Sequence, residues 1–178
     1  MYEIIMTHNR PWSVMELVIF FILLSFVTTV VVWLVRKGKI VYSQAAAAEL
    51  LFVFLMVVLA STVFTRTSNG EYSYQLALFW SWREAALGDK GILEEILLNI
   101  VLLMPAGCLF PFVFHRKIPA VRALLTGALF SLFIESCQLI FCRGLFEWDD
   151  MLHNSLGAML GCMLSNKVFG KLLCSRKV

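Results

Sequence analysis

The chain has 178 residues, of which 60% are hydrophobic and 15% are charged, and its formal net charge at pH 7 is +3. This much apolar surface, with a mean hydropathy of +0.82, exceeds what the core of one small soluble domain can bury. The composition therefore excludes a soluble globular protein and predicts an integral membrane protein.

Five apolar stretches are each long enough to cross a bilayer, because about 20 helical residues span a hydrocarbon layer of about 30 Å. They cover about residues 13–35, 45–64, 96–114, 120–142 and 151–169. The first stretch is too long for the apolar region of a cleaved signal peptide, and no cleavage-site pattern follows it. We predict a single all-α domain over residues 1–178, a polytopic membrane bundle with about five transmembrane helices.

Charges in the connecting segments predict the orientation of the bundle. Basic residues dominate the links after the first and third stretches and the C-terminal tail, whereas the other two links are net acidic. Lys and Arg accumulate on the cytoplasmic side of membrane proteins. The N-terminus is therefore predicted outside and the C-terminus inside.

The link at residues 65–95 is rich in aromatic side chains, namely Tyr72, Tyr74, Phe79, Trp80 and Trp82. Such rings favour the headgroup layer, so we expect a re-entrant or interfacial segment on the outer leaflet. This segment is either a plain aromatic anchor or a lid over a site. The sequence leaves both interpretations open.

Polar side chains gather in the outer halves of the last three predicted helices, namely Asn99, Glu135, Gln138, Arg143, Asp149, Asp150 and Asn154. An ionisable group near the bilayer centre costs roughly 2.5 to 3.5 kcal/mol, so it is retained where it is paired or faces a wet cavity. Each residue taken alone fits an interhelical hydrogen bond. Such bonds stabilise a bundle by well below about 2 kcal/mol each, so the whole cluster favours a binding site.

Helical spacing places these residues on two stripes. One stripe on the fourth helix contains Gly127, Ser131, Glu135, Gln138 and Cys142, and one on the fifth contains Asp150, Asn154, Gly157, Gly161 and Ser165. We expect the two stripes to face each other. The Gly157 and Gly161 pair permits close helix packing, and Pro105 with Gly107 is expected to bend or thin the third helix.

Other chemistries have little support. The sequence contains no phosphate-binding loop, dinucleotide fingerprint, H-E-x-x-H motif or nucleophile elbow. His153 with Asp149 forms a conceivable metal pair, but His8 and His115 are expected elsewhere, so no metal site is predicted. The five cysteines lack C-x-x-C spacing and are expected to be packing residues. No cofactor and no nucleic-acid partner is expected.

Two blocks of the sequence resemble the signature blocks of the VanZ-like family of bacterial membrane proteins. The first, LLNIVLLMPAGCLFP from Leu97, is similar in Asn99, Pro105 and Gly107. The second, at residues 133–161, is similar in Glu135, Gln138, Arg143, Asp149, Asp150, Asn154, Gly157 and Gly161. Arg66 resembles the arginine that the family has before its outer loop. The resemblance covers about residues 66–165.

The resemblance implies a multi-pass protein of the bacterial cytoplasmic (plasma) membrane. It also links the chain to antibiotic resistance, because the namesake of the family is associated with low-level resistance to the lipoglycopeptide teicoplanin, by a mechanism that is not established. We carry over the shared outer cluster rather than the resistance phenotype.

Three functions remain open. In the first, an outward-facing pocket binds a membrane lipid or lipid-linked amphiphile, either an envelope precursor or a lipid-tailed antibiotic. Its ligand-binding residues would be Arg66 and Arg143 for an anionic headgroup, Asn99, Glu135, Gln138 and Asn154 for polar groups, and Asp149 and Asp150 for orienting the arginines or a cationic part. In the second, Glu135 with Asp149 or Asp150 provides acid/base catalysis on a lipid-linked substrate. The third is a small lipid transporter.

Overall fold

The computed structural model describes residues 10–68 and 70–175, with side chains described up to residue 168. Its helices are α1 (Val14–Arg36), α2 (Tyr42–Leu59), α3 (Trp80–Ala86), α4 (Lys90–Val113), α5 (Ala120–Ile140) and α6 (Trp148–Ser175). Helix α2 continues into a π-helical turn at Ala60–Phe64, and two short strands, β1 (Ser73–Gln75) and β2 (Leu145–Glu147), complete the fold.

Four helices are long and apolar enough to cross a membrane, judged by length and composition. They are Val14–Arg36, Tyr42–Phe64, Lys90–Val113 and Ala120–Ile140, so the prediction of an all-α polytopic membrane bundle is confirmed. Helix α6 occupies the fifth predicted stretch and has 28 residues. It is less apolar than the other four because its first turns contain acidic, amide and imidazole side chains. Its crossing of the bilayer and the orientation of the chain stay predictions.

Local sequence signals fix where the helices begin and end. Helix α1 begins with a capping box, in which the Ser13 hydroxyl accepts from the Glu16 amide and the Glu16 carboxylate accepts from the Ser13 amide at 2.8 Å. Helix α5 ends because Cys142 takes a left-handed φ of 52°. The amides of Cys142 and Arg143 then donate to carbonyls in the last turn of the helix, which reverses the chain direction.

Helix α6 contacts α4 at the level of the backbone. A Cβ atom at Gly157 would lie 1.9 Å from the carbonyl oxygen of Ile100, and one at Gly161 would lie 2.0 Å from that of Met104. These distances are far below van der Waals contact, so both positions require glycine. The close packing predicted from this pair of glycines therefore involves α4.

The expectation that the two polar stripes face each other is correct only in part. Ser131 and Gly127 of α5 do lie against α6, at Asn154 and Ala158 respectively. Gly157 and Gly161 instead face α4. The reason is that α6 is packed on two sides, so its small residues are divided between two neighbours.

Helix α4 contains Pro105 and Pro111 and is one continuous element from Lys90 to Val113. A Cβ atom at Gly107 would lie 2.0 Å from the carbonyl oxygen of Ala158, which makes Gly107 a further close-contact position between α4 and α6. The main apolar core consists of Val58, Val63, Leu103, Ile134 and Ala158 and joins four helical segments.

The link at residues 65–95 is tied to the rest of the molecule by a two-stranded parallel pairing. Tyr74 of β1 lies opposite Phe146 of β2, and Gln75 lies opposite Glu147. Helix α3 follows, and its N-cap residue Phe79 has a φ of 60°. The strands and this short helix bring the aromatic segment across the end of the bundle that contains Glu135.

Candidate functional site

The predicted polar residues converge where α2 and α5 end and α4 and α6 begin. We call this part of the molecule, which contains Glu135, Asp149 and Asp150, the polar end. Hydrogen bonds from Asn99 to Asp150 and from Gln138 to Thr62 connect these four helices there. The structure thus brings together side chains that are distant in the sequence.

Glu135 lies inside the polar end and is only 2% exposed. Its carboxylate accepts a hydrogen bond at 3.0 Å from the backbone amide of Glu147 in β2. Glu147 in turn accepts from the indole nitrogen of Trp80 at 2.9 Å. Glu135 therefore holds β2 in place. Through this contact it positions Glu147, which binds Trp80, the first residue of α3.

Asp149 is fully buried and accepts three hydrogen bonds from the start of α3. Its donors are the Phe79 amide at 2.7 Å, the Ser81 amide at 3.0 Å and the Ser81 hydroxyl at 2.6 Å. A left-handed φ is unfavourable for a bulky residue such as Phe79, and the carboxylate stabilises it. Asp149 thus binds the start of α3, and the expectation that it orients the arginines or a cationic part of a ligand stays a prediction.

Gln138 and Arg143 bind the C-terminal end of the second predicted span. The Gln138 amide donates to the carbonyl of Thr62 at 3.0 Å, and the Arg143 guanidinium donates to that of Phe64 at 2.8 Å. Arg10 donates to the same Phe64 carbonyl at 3.2 Å. Cations are favourable at a helix C-terminus, where carbonyls lack intrahelical partners. Arg143 therefore caps α2, which differs from its expected contact with a ligand.

Asp150 lies at the partly exposed edge of the polar end and accepts from the Asn99 amide at 2.6 Å. His153, one turn further along α6, is 1% exposed, and its Nδ1 atom lies 3.9 Å from an Asp150 oxygen. Neither ring nitrogen of His153 has a hydrogen-bond partner among the described residues. The indole of Trp82 lies over it with ring centroids 5.5 Å apart.

Asn154 links α6 to α5 by donating to the Ser131 hydroxyl at 2.8 Å. It is 2% exposed, and its carbonyl oxygen has no partner in the part of the chain that the structure describes. A buried, unsatisfied acceptor costs roughly 1 to 3 kcal/mol. Asn154 and His153 together therefore have three buried polar atoms that lack a hydrogen-bond partner among the described residues.

Arg66 lies at the partly exposed edge, where its guanidinium is close to Gly144: a Cβ atom added at Gly144 would lie 3.2 Å from it. It is within electrostatic range of the carboxylates of Glu95 and Glu135. The ion pairs among the described residues are Arg10–Glu16 and the longer His153–Asp150 contact, so Arg66 is in neither. We call the edge formed by Arg66, Glu95, Asn99 and Asp150 the mouth.

Glu147 lies outside the membrane-spanning helices, in β2, and is 7% exposed. Burial, together with the negative charge of nearby Asp150, raises the pKa of Glu147 to about 7. The hydrogen bond from Trp80 acts in the opposite direction and is the weaker effect. The raised pKa of Glu147 follows mainly from its burial beside other carboxylates at the polar end.

The sequence reasoning missed Glu95 and Glu147, and it considered His153 only as a metal ligand. Glu95 precedes Asn99 by one helical turn, and His153 follows Asp150 by one turn, so helical spacing alone indicates these neighbours. The position of Glu147 depends on the β1–β2 pairing, which no local signal indicated. Among the described residues, no three His, Cys, Asp and Glu side chains are placed to hold a metal ion.

Four of the five cysteines have described side chains, and all four are free thiols. The thiol of Cys108 contacts the Gly161 carbonyl at 3.3 Å, and that of Cys162 contacts the Ile118 carbonyl at 3.6 Å. Both contacts fit the packing role expected from the sequence. Cys174 lies outside the residues whose side chains are described.

Comparison with known proteins supports the resemblance found in the two blocks. The sequence matches the model of the VanZ/LLP1 family over residues 18–170, which is most of the chain. No curated protein and no solved structure matches it significantly. The match includes every predicted site residue and four helices with the length and composition of membrane spans. The chain is a membrane protein and belongs to the VanZ-like family.

Proposed function

We propose that this protein binds the headgroup of a membrane amphiphile at the mouth of the polar end, in the bacterial cytoplasmic membrane. The proposal depends mainly on Arg66, a partly exposed guanidinium within electrostatic range of Glu95 and Glu135 that forms no ion pair with a described residue. A partly exposed arginine without an ion-pair partner can bind an anionic group of a ligand at the membrane surface.

The residues around Arg66 indicate which other polar groups the ligand headgroup has. Asp150 and Glu95 at the mouth are acceptors, and behind them lie buried His153 and Asn154 with unpartnered polar atoms. A ligand that satisfies this set has hydroxyl or amine donors in addition to one anionic group. Lipid-linked envelope precursors and teicoplanin-type lipoglycopeptides both combine sugars, charged groups and a hydrocarbon tail.

The structure narrows the residues proposed to contact the ligand. Arg66, Asn99 and Asp150 remain at the mouth, and Glu135 and Asn154 lie beneath it. The other three residues form hydrogen bonds within the protein. Gln138 and Arg143 bind Thr62 and Phe64 at the end of the second span, and Asp149 binds Ser81 of α3. In this proposal they are positioning residues.

Titration of the purified protein in lipid nanodiscs tests the proposal, with a fluorescent teicoplanin-type lipoglycopeptide in one series and an undecaprenyl-linked sugar precursor in another. Arg66→Gln and Glu95→Gln are expected to weaken binding of the true ligand by about tenfold or more, since hydrogen bonds to charged groups contribute about 1.5 to 3 kcal/mol each.

Two neighbouring residues provide matched controls, because Arg83 and Glu94 are exposed residues in the same region. Arg83→Gln and Glu94→Gln are expected to bind as the parent does. Equal binding by Arg66→Gln and Arg83→Gln, with both proteins folded, contradicts the proposal for that ligand.

An enzyme acting on a lipid-linked substrate is the second candidate, and His153 is the observation that favours it. Its unpartnered ring nitrogens and the nearby Asp150 carboxylate are suited to proton transfer, whereas Asp149 already accepts three hydrogen bonds from the start of α3. If the protein is an enzyme, it will turn over a radiolabelled lipid-linked precursor, and His153→Gln will abolish turnover while binding persists. Binding with no product in the parent protein excludes this candidate.

A further inference from the structure

A cavity lies towards the opposite end of the bundle from Glu135. It has a volume of about 300 Å³ and lies between α2, α4 and α5, beside the turn that joins α4 to α5. We call this part of the molecule, which contains Arg116, Lys117 and Arg122, the basic end. None of the residues at the mouth of the polar end lines this cavity.

The wall of the cavity is almost entirely apolar. Its main side chains are Leu51 and Leu55 from α2, Leu103, Ala106 and Phe110 from α4, and Phe130 from α5. The volume is at the lower limit of the roughly 300 to 1,000 Å³ that is usual for small-molecule sites. A wall of this composition is suited to a hydrocarbon chain.

Helix α2 is bonded to different neighbours at its two ends, and the cavity lies between α2 and α5. Gln138 of α5 bonds to Thr62 in the π-helical turn of α2. At the other end, α2 is tied to α4 instead, through a hydrogen bond from Gln44 to the carbonyl of Val113 at 3.1 Å. The space between α2 and α5 is therefore part of the backbone arrangement rather than a local packing gap.

Positive charge is concentrated at one side of this cavity. Arg116 and Arg122 both line it, and both are exposed. Neither takes part in the ion pairs found among the described residues. The nearby Thr126 hydroxyl donates to the Arg122 carbonyl, so it does not engage the guanidinium. The cavity thus combines a hydrocarbon-like wall with two arginines that form no ion pair with a described residue.

We propose that an anionic phospholipid from the adjacent leaflet occupies this cavity, with one acyl chain between α2 and α5 and its phosphate at Arg116 and Arg122. Charge complementarity selects an anionic headgroup, and the depth of the apolar wall selects a chain-bearing molecule over free phosphate. The site is independent of the amphiphile site at the polar end.

Electron paramagnetic resonance of the full protein in phosphatidylcholine vesicles tests the proposal, with spin-labelled phosphatidylglycerol as the probe and spin-labelled phosphatidylcholine as the comparison. The parent protein is expected to immobilise the anionic probe preferentially. Each arginine removed is expected to weaken that association by about fivefold, so Arg116→Gln with Arg122→Gln loses most of the preference.

Lys117→Gln is the matched control, because Lys117 lies in the same turn and is exposed but does not line the cavity. It is expected to keep the preference nearly intact. Thr126→Phe places a ring at the exposed rim of the cavity and is expected to reduce immobilisation of the anionic chain without changing charge. If the double variant is unfolded, Arg122→Gln alone provides the same comparison.

Three outcomes overturn the proposal. The double variant retains the preference as fully as Lys117→Gln does, or both probes are immobilised equally by the parent, or Thr126→Phe leaves immobilisation of the anionic probe unchanged. The first two show that the arginines do not select the headgroup, and the third shows that the chain lies elsewhere.

Discussion

Helices α1 and α6 show that the hydrophobicity of a helix does not determine how much of it is buried in this molecule. Helix α1 is the most apolar of the candidate spans, yet only 6% of its apolar window is buried within the molecule. Helix α6 is too polar to be counted as a span by composition, yet it packs against both α4 and α5. In a bilayer, lipid solvates apolar side chains as well as a protein core does, so hydrophobicity gives no drive for burial.

What determines burial in this molecule is the pattern of small and polar residues. Gly157 and Gly161 allow backbone contact with α4, and Asn154 and Asp150 form hydrogen bonds with neighbouring helices. Lipid tails cannot form hydrogen bonds with a polar group, so such a group must find its partner within the protein. Substitutions in α6 and its contacts should therefore have much larger effects than substitutions in α1.

The largest effect is expected from Gly157→Leu, because even a Cβ atom there would overlap the Ile100 carbonyl. Overpacking of a closely packed site costs about 1 to 3 kcal/mol when side chains can adjust, and the obstacle here is backbone. We expect little folded protein in membrane extracts, measured by fluorescence-detected size exclusion.

Met163→Leu is the control for this change, since Met163 lies on the same helix and is 45% exposed. It is expected to give the parent's yield. A folded Gly157→Leu protein at parental yield is incompatible with the backbone contact between α4 and α6.

The next effect is expected from Asp149→Ala, which leaves the amides of Phe79 and Ser81 and the Ser81 hydroxyl without an acceptor. A buried unsatisfied group costs about 1 to 3 kcal/mol, so we expect a loss of several kcal/mol and increased proteolysis near α3. Asp89→Ala removes the exposed N-cap of α4 and is expected to cost about 1 kcal/mol. Equal effects of the two changes on thermal unfolding argue against a structural role for Asp149.

A smaller effect on stability is expected from the protonation of Glu147 as the pH changes. Its pKa is raised to about 7 by burial and by Asp150, so between its unfolded pKa and pH 7 the folded state binds more protons than the unfolded state. Stability should therefore fall as pH rises through this window, by at most about 1.4 kcal/mol per pH unit for this group.

Thermal unfolding of the parent and of Glu147→Gln between pH 5 and pH 8 measures this effect. The variant keeps an acceptor for Trp80 and should have the shallower pH dependence. Identical slopes in the two proteins show that Glu147 does not titrate in this range.

The smallest effect is expected in α1. Phe26 is 67% exposed, so Phe26→Ala exchanges one lipid contact for another and should change the free energy of unfolding by less than about 0.5 kcal/mol. Leu103→Ala, in the core, is expected to cost about 2 to 5 kcal/mol. Chemical denaturation in detergent compares the two variants, and a large loss for Phe26→Ala means that α1 is bound more tightly than its exposure indicates.

Much of the fold could be predicted from the sequence because its signals are local. Apolar stretches of the length of a bilayer gave the first four spans, and the Ser13–Glu16 capping box marks the start of α1. The small residues Gly157 and Gly161 correctly indicated a close helix contact, although they did not indicate which helix is the neighbour.

The remaining features depend on contacts between distant segments. Asp149 binds Phe79 and Ser81, which precede it by 70 and 68 positions along the chain. Arg143 donates to the Phe64 carbonyl at the end of the second span, a partner 79 positions earlier that periodicity does not indicate. Helical periodicity shows that a polar side chain faces the bundle and needs a hydrogen-bond partner. It does not show which distant residue is that partner.

The most direct test of the central claim is an experimental structure of the protein purified with native lipid. We predict density for an amphiphile headgroup in contact with Arg66, Glu95, Asn99 and Asp150, and directed towards His153. A structure in which Arg66 forms a direct ion pair with Glu95 or Glu135, with no density beyond ordered water at the mouth, contradicts the proposed site.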